Sequence, residues 1–273
     1  ERDQYLGGIL NQCIHTGFGL HHFKEELTGP EYAERFIRQI NGLEGVEVSL
    51  KSFVISLNRN KELTYLKPGA SVAIKARALI MATGCRERTR EMVHIAGTRP
   101  SGIYPAGLAQ KMINIEGWLP GREVVIIGSG DIGLIMARRF TLEGARVKAV
   151  IEIQKESRGL VRNVVQCLED FEIPLYLGHR VARINGRDRV ESVEVEEMAA
   201  PGKSFKIDCD TVLMSVGLIP ENELIEMAGI SVEGAEGVFV CGNAYKVYDL
   251  VDRVTRDSFR AGKAAAEYLR GQR

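Results

Sequence analysis

This chain of 273 residues has no net charge: lysine plus arginine and aspartate plus glutamate each number 36. With no field of one sign, nothing recruits nucleic acid or an anionic membrane surface. Long apolar runs are missing too. The most apolar stretches, such as "ALIMA", have the length of a strand and fall far short of the ~18 residues a spanning helix needs. Paired cysteines are the third absence. The five present (Cys13, Cys85, Cys167, Cys209 and Cys241) are odd in number and scattered, with no CxxC and no zinc-ligand spacing. That excludes a disulfide framework and points to reduced thiols and a cytoplasmic protein.

What is present is α/β patterning. The clearest unit is "REVVIIGSGDIGLIMARRFTLEGARVKAVIEI". An apolar strand (Val124 to Ile127) runs into Gly128-Ser129-Gly130-Asp131-Ile132-Gly133. A helix with Ile132, Ile135, Met136 and Phe140 on its apolar face follows, with Gly144 just past its end. A second strand, Val147 to Ile153, carries Glu152. Next come a helix over about Leu160 to Phe171 and a short strand near Leu175. "ARINGRDRVESVEVEE" then predicts a β-hairpin turning at Asn-Gly, and "TVLMSVG" closes the unit as a strand.

The first third repeats that order: a helix at "GPEYAERFIRQIN", a strand at Val46 to Val48, alternating strands in "SFVISLNRNKELTYL" and "SVAIKA", and the closing strand "ALIMATG". Glu1 falls where Glu152 falls, and Gly84 where Gly217 falls. Two copies of one nucleotide-binding plan are expected, the first without its opening strand, glycine turn and helix. Glu152 stands 24 positions after Gly128, so roughly 25 to 35 residues, one βαβ entry, are expected ahead of Glu1. A last segment, "GVFVCGN" with the helix "TRDSFRAGKAAAEYLRG", is too short for a domain and is read as returning to complete the first copy.

Glycine suits a dinucleotide loop for three reasons: a tight turn, close approach of backbone to pyrophosphate, and close packing of helix on strand. Gly128, Gly130 and Gly133 meet that pattern in its proper context. Glu152 is placed to accept from adenosine ribose hydroxyls, which favours NAD over NADP, because a 2′-phosphate would meet its charge. Lys155 and Arg158 soften that repulsion.

The stretches "ERDQYLGG", "ATGCRERTR", "GTRPSGIYPAG", "GSGDIG", "SVGLIPEN" and "VFVCGN" followed by "DLVD" carry a family resemblance over essentially the whole chain. The chain resembles two-dinucleotide-domain flavoproteins of the pyridine nucleotide-disulfide oxidoreductase superfamily. It is most similar to flavoprotein subunits of opine oxidases, hydrogen cyanide synthase and dye-linked amino-acid dehydrogenases, and to flavoproteins that accompany glycerol-3-phosphate dehydrogenases. The resemblance implies two Rossmann-like domains, each a parallel sheet with a β-hairpin crossover. An FAD domain is split over 1–108 and 223–273, and an NAD domain spans 109–222.

It also implies roles. Glu1 would hold the FAD ribose, Gly8 would pass the FAD phosphates, and Val54 would contact adenine. Thr83 and Gly84 would line the flavin's edge, and Gly217 would flank the nicotinamide. Gly242 and Asn243 would meet the FAD pyrophosphate and ribityl chain, with asparagine standing where the family usually has aspartate. The helix beginning near Asp252 would aim its N-terminus at the flavin. The implied activity is hydride passage between NAD(H) and FAD, with electrons exchanged with a dehydrogenase or electron-transfer partner subunit in an oligomer. Direct oxidation of an amine or hydroxy acid at FAD, and a fragment that only binds NAD, stay open as alternatives.

The residue inventory excludes a dithiol relay. "GILNQCIHTGFGLHH" offers only Cys13, and "SGIYPAGLAQ" stands where the thioredoxin-reductase branch keeps CxxC. Cys13 and His15 are candidates for proton transfer or substrate contact. The competing reading is a polar loop covering the cofactor cleft. A zinc site with His21 and His22 matches no standard spacing. "CRERTR" reads either as a binder of carboxylates or partners, or as a surface turn.

Overall fold

The computed structural model describes residues 1–200 and 202–272, and they form two compact units. One comprises Glu1–Arg86 with Ile219–Arg273, and the other Glu87–Leu218.

The 87–218 unit is built on a parallel five-stranded sheet. Its strand order is Leu175–Leu177, Arg146–Glu152, Glu123–Ile127, Thr211–Met214, Ile103–Pro105. Val124 to Ile126 are fully buried, as expected of a central parallel strand covered on both faces. Alternate side chains serve different layers. Val124, Ile126, Val147, Val150 and Leu213 pack with helices Ala106–Asn114, Asp131–Leu142 and Val161–Cys167. Val125, Ile127, Ala149, Ile151, Val212 and Met214 pack with Val181, Ile184, Val193 and Val195 of a second, mainly antiparallel sheet. That sheet runs Ser204–Asp208, Val190–Glu197, His179–Gly186, Ala96–Gly97. The result is three layers: helices, parallel sheet and hairpin sheet.

The sequence reading placed the domain boundaries at 108/109 and 222/223, whereas the compact units divide at 86/87 and 218/219. Residues 87–108 join the second unit through strand pairing. Ala96–Gly97 lies beside Arg183–Ile184, and Ile103–Pro105 beside Val212–Met214.

The other unit holds a parallel pair, Leu79–Met81 with Val238–Val240, as expected of a C-terminal segment that completes the first plan. An antiparallel sheet of Phe53–Leu57, Glu62–Lys67 and Ala70–Lys75 accompanies it. Helix Gly29–Asn41 starts with a capping box, in which Glu31 N–H donates to Thr28 Oγ1 and Glu31 Oε2 accepts from Thr28 N–H. Tyr32, 1% exposed, shares a 2.7 Å hydrogen bond with Thr255 of helix Val251–Gly271.

Four local expectations change. Val46 to Val48 is not a strand. Both valines are exposed, and pairing starts only at Ser49, whose carbonyl accepts from Glu1, while Lys51 N–H and Ser52 N–H donate to Asp3 and Glu1. Asn-Gly is not the centre of the hairpin turn. Asn185 pairs with Ser192 inside the ladder, and Gly186 allows close approach, since a Cβ there would lie 2.1 Å from the Arg189 carbonyl oxygen. On helix Asp131–Leu142 the buried stripe is Leu134, Met136, Ala137 and Phe140, with Ile132 and Ile135 only half-buried. The helix expected to reach Phe171 stops at Cys167 and continues as a 3-10 turn, Glu169–Phe171.

Candidate functional site

The glycine loop lies at the C-terminal end of the central strand, where open α/β sheets bind their ligands. Its three glycines meet different surroundings. Gly128 has φ +96°, and a Cβ there would stand 2.1 Å from the Ser215 carbonyl oxygen. Gly133 packs helix against loop, with its notional Cβ 2.6 Å from the Gly128 carbonyl oxygen. Gly130 meets nothing closer than Ser215 Oγ at 3.9 Å, so its side of the loop is open. The helix starting at Asp131 has no side-chain cap, which leaves its first N–H groups and its positive dipole end for an anion. Asp131 itself is turned aside: its Oδ1 accepts from Leu160 N–H at 2.8 Å and Asn163 Nδ2 at 2.7 Å. A tight turn, an open approach and a close packing contact are what a pyrophosphate cradle requires, so these residues fit a dinucleotide.

Glu152 is in place at the end of the second strand, and is only 4% exposed. Its Oε2 accepts from Ser129 N–H at 2.9 Å and Ser129 Oγ at 2.7 Å, and its Oε1 from Gln154 N–H at 2.9 Å. Ser129, 0% exposed, also receives the following loop. Its carbonyl accepts from Gly159 N–H at 2.9 Å and its Oγ from Arg158 N–H at 3.2 Å. Gly217 follows the strand on the other side with φ +104°, and its carbonyl accepts from Arg88 N–H at 3.0 Å.

Within the other unit, Thr83–Gly84 follows one strand of the parallel pair and Gly242–Asn243 follows the other, so the two loops share one end. Thr83 Oγ1 donates to the Glu221 carbonyl, and Gly84 (φ +78°) faces open space. Gly242 has φ +61° and donates its N–H to buried Asp257 at 2.8 Å. Asn243 Oδ1 accepts from Tyr248 N–H at 3.0 Å, and its Nδ2 donates to Cys85 Sγ at 3.6 Å. That second bond gives a reason for asparagine, because an aspartate has no donor for the sulfur. Glu1 is exposed, with its carboxylate accepting from Asp3 N–H at 3.0 Å. Gly8 opens a 3-10 turn with open space around it, and Val54 pairs with Tyr65 in the antiparallel sheet. An exposed acid, an open glycine on a strand-end loop (Gly84) and an open glycine at the start of a 3-10 turn (Gly8) fit an adenosine ribose and phosphates.

Cys13 is 7% exposed, and burial pushes its thiol up to about 12, so it offers no thiolate at neutral pH. It packs where the 3-10 turn meets helix Gly29–Asn41, whose first N–H donates to the Cys13 carbonyl at 2.9 Å. Burial likewise raises Cys167, Cys209 and Cys241. His15 stands against Phe18, and His22 stacks between Phe36 and Phe259. The basic "CRERTR" stretch is largely engaged within the chain. Arg86 pairs with Glu221 and Glu223, and buried Arg90 donates to the carbonyls of Ile95, Ala96 and Thr98. Sequence reasoning missed Ser215, Asp257 and Glu87. Glu87 is a half-buried acid whose carboxylate accepts from Gly107 N–H at 2.7 Å, at the start of helix Ala106–Asn114.

The profile of the family described as "Pyridine nucleotide-disulphide oxidoreductase" matches residues 10–245, and the chain belongs to that family, whose members use FAD and NAD(P)H. It is 26% identical over 195 residues to the NAD(P)H sulfur oxidoreductase (CoA-dependent) of Pyrococcus abyssi, covering 69% of this chain and 41% of that protein. With the biphenyl dioxygenase system ferredoxin–NAD(+) reductase component of Paraburkholderia xenovorans it shares 29% identity over 202 residues, covering 71% and 46%. The chain thus spans less than half the length of these curated relatives. The fold matches thioredoxin reductase of T. acidophilum with TM-score 0.76 and 18% identity, covering 100% of this chain and 89% of that one. Among the described residues no helix is long and apolar enough to cross a membrane.

Proposed function

We propose that the chain is the two-nucleotide part of an NAD(P)H-dependent flavoprotein oxidoreductase that exchanges electrons with a partner protein in a reducing, cytoplasmic compartment. The observation that carries this reading is the division of labour among Gly128, Gly130 and Gly133, which leaves an uncapped helix start beside an open glycine. When bound, the two cofactors supply the redox chemistry, a hydride passing between nicotinamide and flavin. The chain's own residues bind and orient. Gly130 and the first N–H groups of helix Asp131–Leu142 take the dinucleotide phosphates, and Gly217 flanks its nicotinamide end. Glu1 takes the flavin's adenosine ribose, Val54 its adenine and Gly8 its phosphates. Thr83, Gly84, Gly242 and Asn243 line the rest. A partner protein is favoured over a thiol substrate relay because four of five thiols are raised by burial. The ferredoxin–NAD(+) reductase relative is consistent with that choice.

The test is flavin content and NADH-dependent reduction of an artificial acceptor by the purified chain. Gly128→Ala should abolish nucleotide binding, while Cys13→Ser, a near-isosteric change at a thiol that is raised by burial, should keep dye reduction within about twofold. A colourless protein that still binds nucleotide would support the binding-fragment alternative. Loss of activity in Cys13→Ser with flavin retained would overturn the exclusion of thiol chemistry.

A further inference from the structure

We infer that Arg88 senses the redox state of the bound nucleotide. Its side chain runs beside Gly217 and makes the site hold neutral NADH more tightly than NAD+, whose nicotinamide ring is positively charged. This rests on the proposal that the 87–218 unit binds a nicotinamide dinucleotide with Gly217 at its nicotinamide end.

The basic stretch "CRERTR" holds three arginines, and they meet different surroundings. Arg86 pairs with Glu221 and Glu223. Buried Arg90 donates to the carbonyls of Ile95, Ala96 and Thr98. Arg88 is exposed, and its guanidinium forms no ion pair among the described residues. Its place is fixed all the same, because Arg88 N–H donates to the Gly217 carbonyl at 3.0 Å. Gly217 has φ +104°, and a Cβ there would stand 3.8 Å from Arg88 Cδ and 3.9 Å from Arg88 Nε. The side that this glycine leaves bare is therefore the side along which the arginine runs. Neighbouring Glu87 does not neutralise it. The Glu87 carboxylate is turned to Gly107 N–H, 2.7 Å away at the start of helix Ala106–Asn114.

Gly217 is tied in turn to the phosphate cradle. Ser215 lies against the glycine loop, its carbonyl oxygen 2.1 Å from the notional Cβ of Gly128 and its Oγ 3.1 Å from that of Gly133. From Ser215 to Gly217 the chain spans at most about 7 Å. A nucleotide whose phosphates sit at Gly130 thus carries its nicotinamide ring toward Arg88. The phosphates have the same charge in both redox forms, so any pull that Arg88 exerts on them is common to both. The ring is different, because accepting a hydride cancels its positive charge. A fixed cation beside it repels the oxidised form alone. A site biased in this way takes up NADH and releases NAD+ once the hydride has left, which suits a chain that draws electrons from NADH.

The experiment titrates the folded chain with NADH, with NAD+ and with ADP-ribose, which lacks the nicotinamide ring. Binding is the readout, so neither flavin nor turnover is needed. Wild type should bind NADH more tightly than NAD+. Arg88→Gln should lower the NAD+-to-NADH Kd ratio about fivefold, the effect of one unit charge near contact distance in solvent. Its NADH and ADP-ribose affinities should change by a common factor. Arg88→Lys keeps the charge and should hold the ratio within about twofold of wild type. Added salt should lower the wild-type ratio toward that of Arg88→Gln. Wild type that prefers NAD+, or Arg88→Gln with a ratio within about twofold of wild type, would overturn the inference. So would Arg88→Lys matching Arg88→Gln, because the effect would then belong to shape and not to charge. Binding of all three ligands with an unmoved ratio sinks the role of Arg88 and leaves the dinucleotide reading standing. If folded wild type binds none of the three, that reading fails and the role of Arg88 falls with it.

Discussion

Each unit has an apolar parallel strand that ends at a glycine loop, and the two strands are buried to very different degrees. Glu123–Ile127 has parallel partners on both edges and layers on both faces, so Val124, Val125 and Ile126 are each 0% exposed. Leu79–Met81 pairs, among the described residues, with Val238–Val240 alone, and Ile80 is 44% exposed. The buried cluster around it comprises Met81, Ile225, Ile230 and Val238. The same local design thus sits in a thick three-layer core in one case and at an open edge in the other. Local stability follows burial rather than strand type.

The largest effect should come from truncating one isoleucine in each of these strands. Ile126→Ala leaves a cavity in a packed core and should cost about 2–5 kcal/mol. Ile80→Ala removes a side chain already half in water and should cost under about 1 kcal/mol. Urea denaturation of both variants checks the contrast, and equal costs would mean that Ile80 is covered in solution. Hydrogen exchange should rank the two strands' amides in the same order.

The same contrast explains what the sequence made legible. The run "VVIIGSGDIG" could be read because a strand buried on both faces must be apolar throughout, and because Gly128 and Gly133 meet steric demands set within the motif or by Ser215. Helix Gly29–Asn41 was placed with its bounds, and the capping roles that the structure gives Thr28 and Glu31 are local. Val46–Val48 was misread because two exposed valines imitate half of a strand, and nothing in the sequence says that pairing begins at Ser49. Asp257 on Gly242, Glu87 on Gly107 and Ser215 on Gly128 act through space across 15 or more positions, so no spacing rule reveals them. Glu152 was placed correctly along the chain. Its burial depends on Ser129 donating twice, which only the folded loop shows.

Helix starts provide a second, smaller contrast. Helix Gly29–Asn41 closes its N-terminus with Thr28 and Glu31, whereas helix Asp131–Leu142 leaves its own open. Thr28→Ala should therefore lower stability by about 1 kcal/mol without touching nucleotide affinity. Chemical denaturation and NADH titration of one preparation check both halves. Weakened nucleotide binding would show that the units are not energetically separate in this respect.

The finest contrast is between Glu87, a half-buried acid of the 87–218 unit, and its glutamine replacement, and it appears as a slope against pH. The Glu87 carboxylate faces backbone N–H groups, but burial dominates. Desolvation raises its carboxyl above the ordinary glutamate value, against the N–H groups of Gly107, Leu108 and Ala106, which pull it down. Between the ordinary value and the raised one, the folded chain keeps a proton that the unfolded chain has released. Its contribution to stability is thus complete below the ordinary glutamate range and is lost as pH rises through the folded value. Glutamine at this position carries no charge at any pH and can still accept from Gly107 N–H. Relative to Glu87→Gln, wild type should therefore lose stability as pH is raised from the acid side toward neutrality, with urea midpoints at several pH values as the readout. A flat difference, or one that grows in favour of wild type with pH, would mean that the start of helix Ala106–Asn114 holds the carboxylate charged and that its dipole outweighs burial.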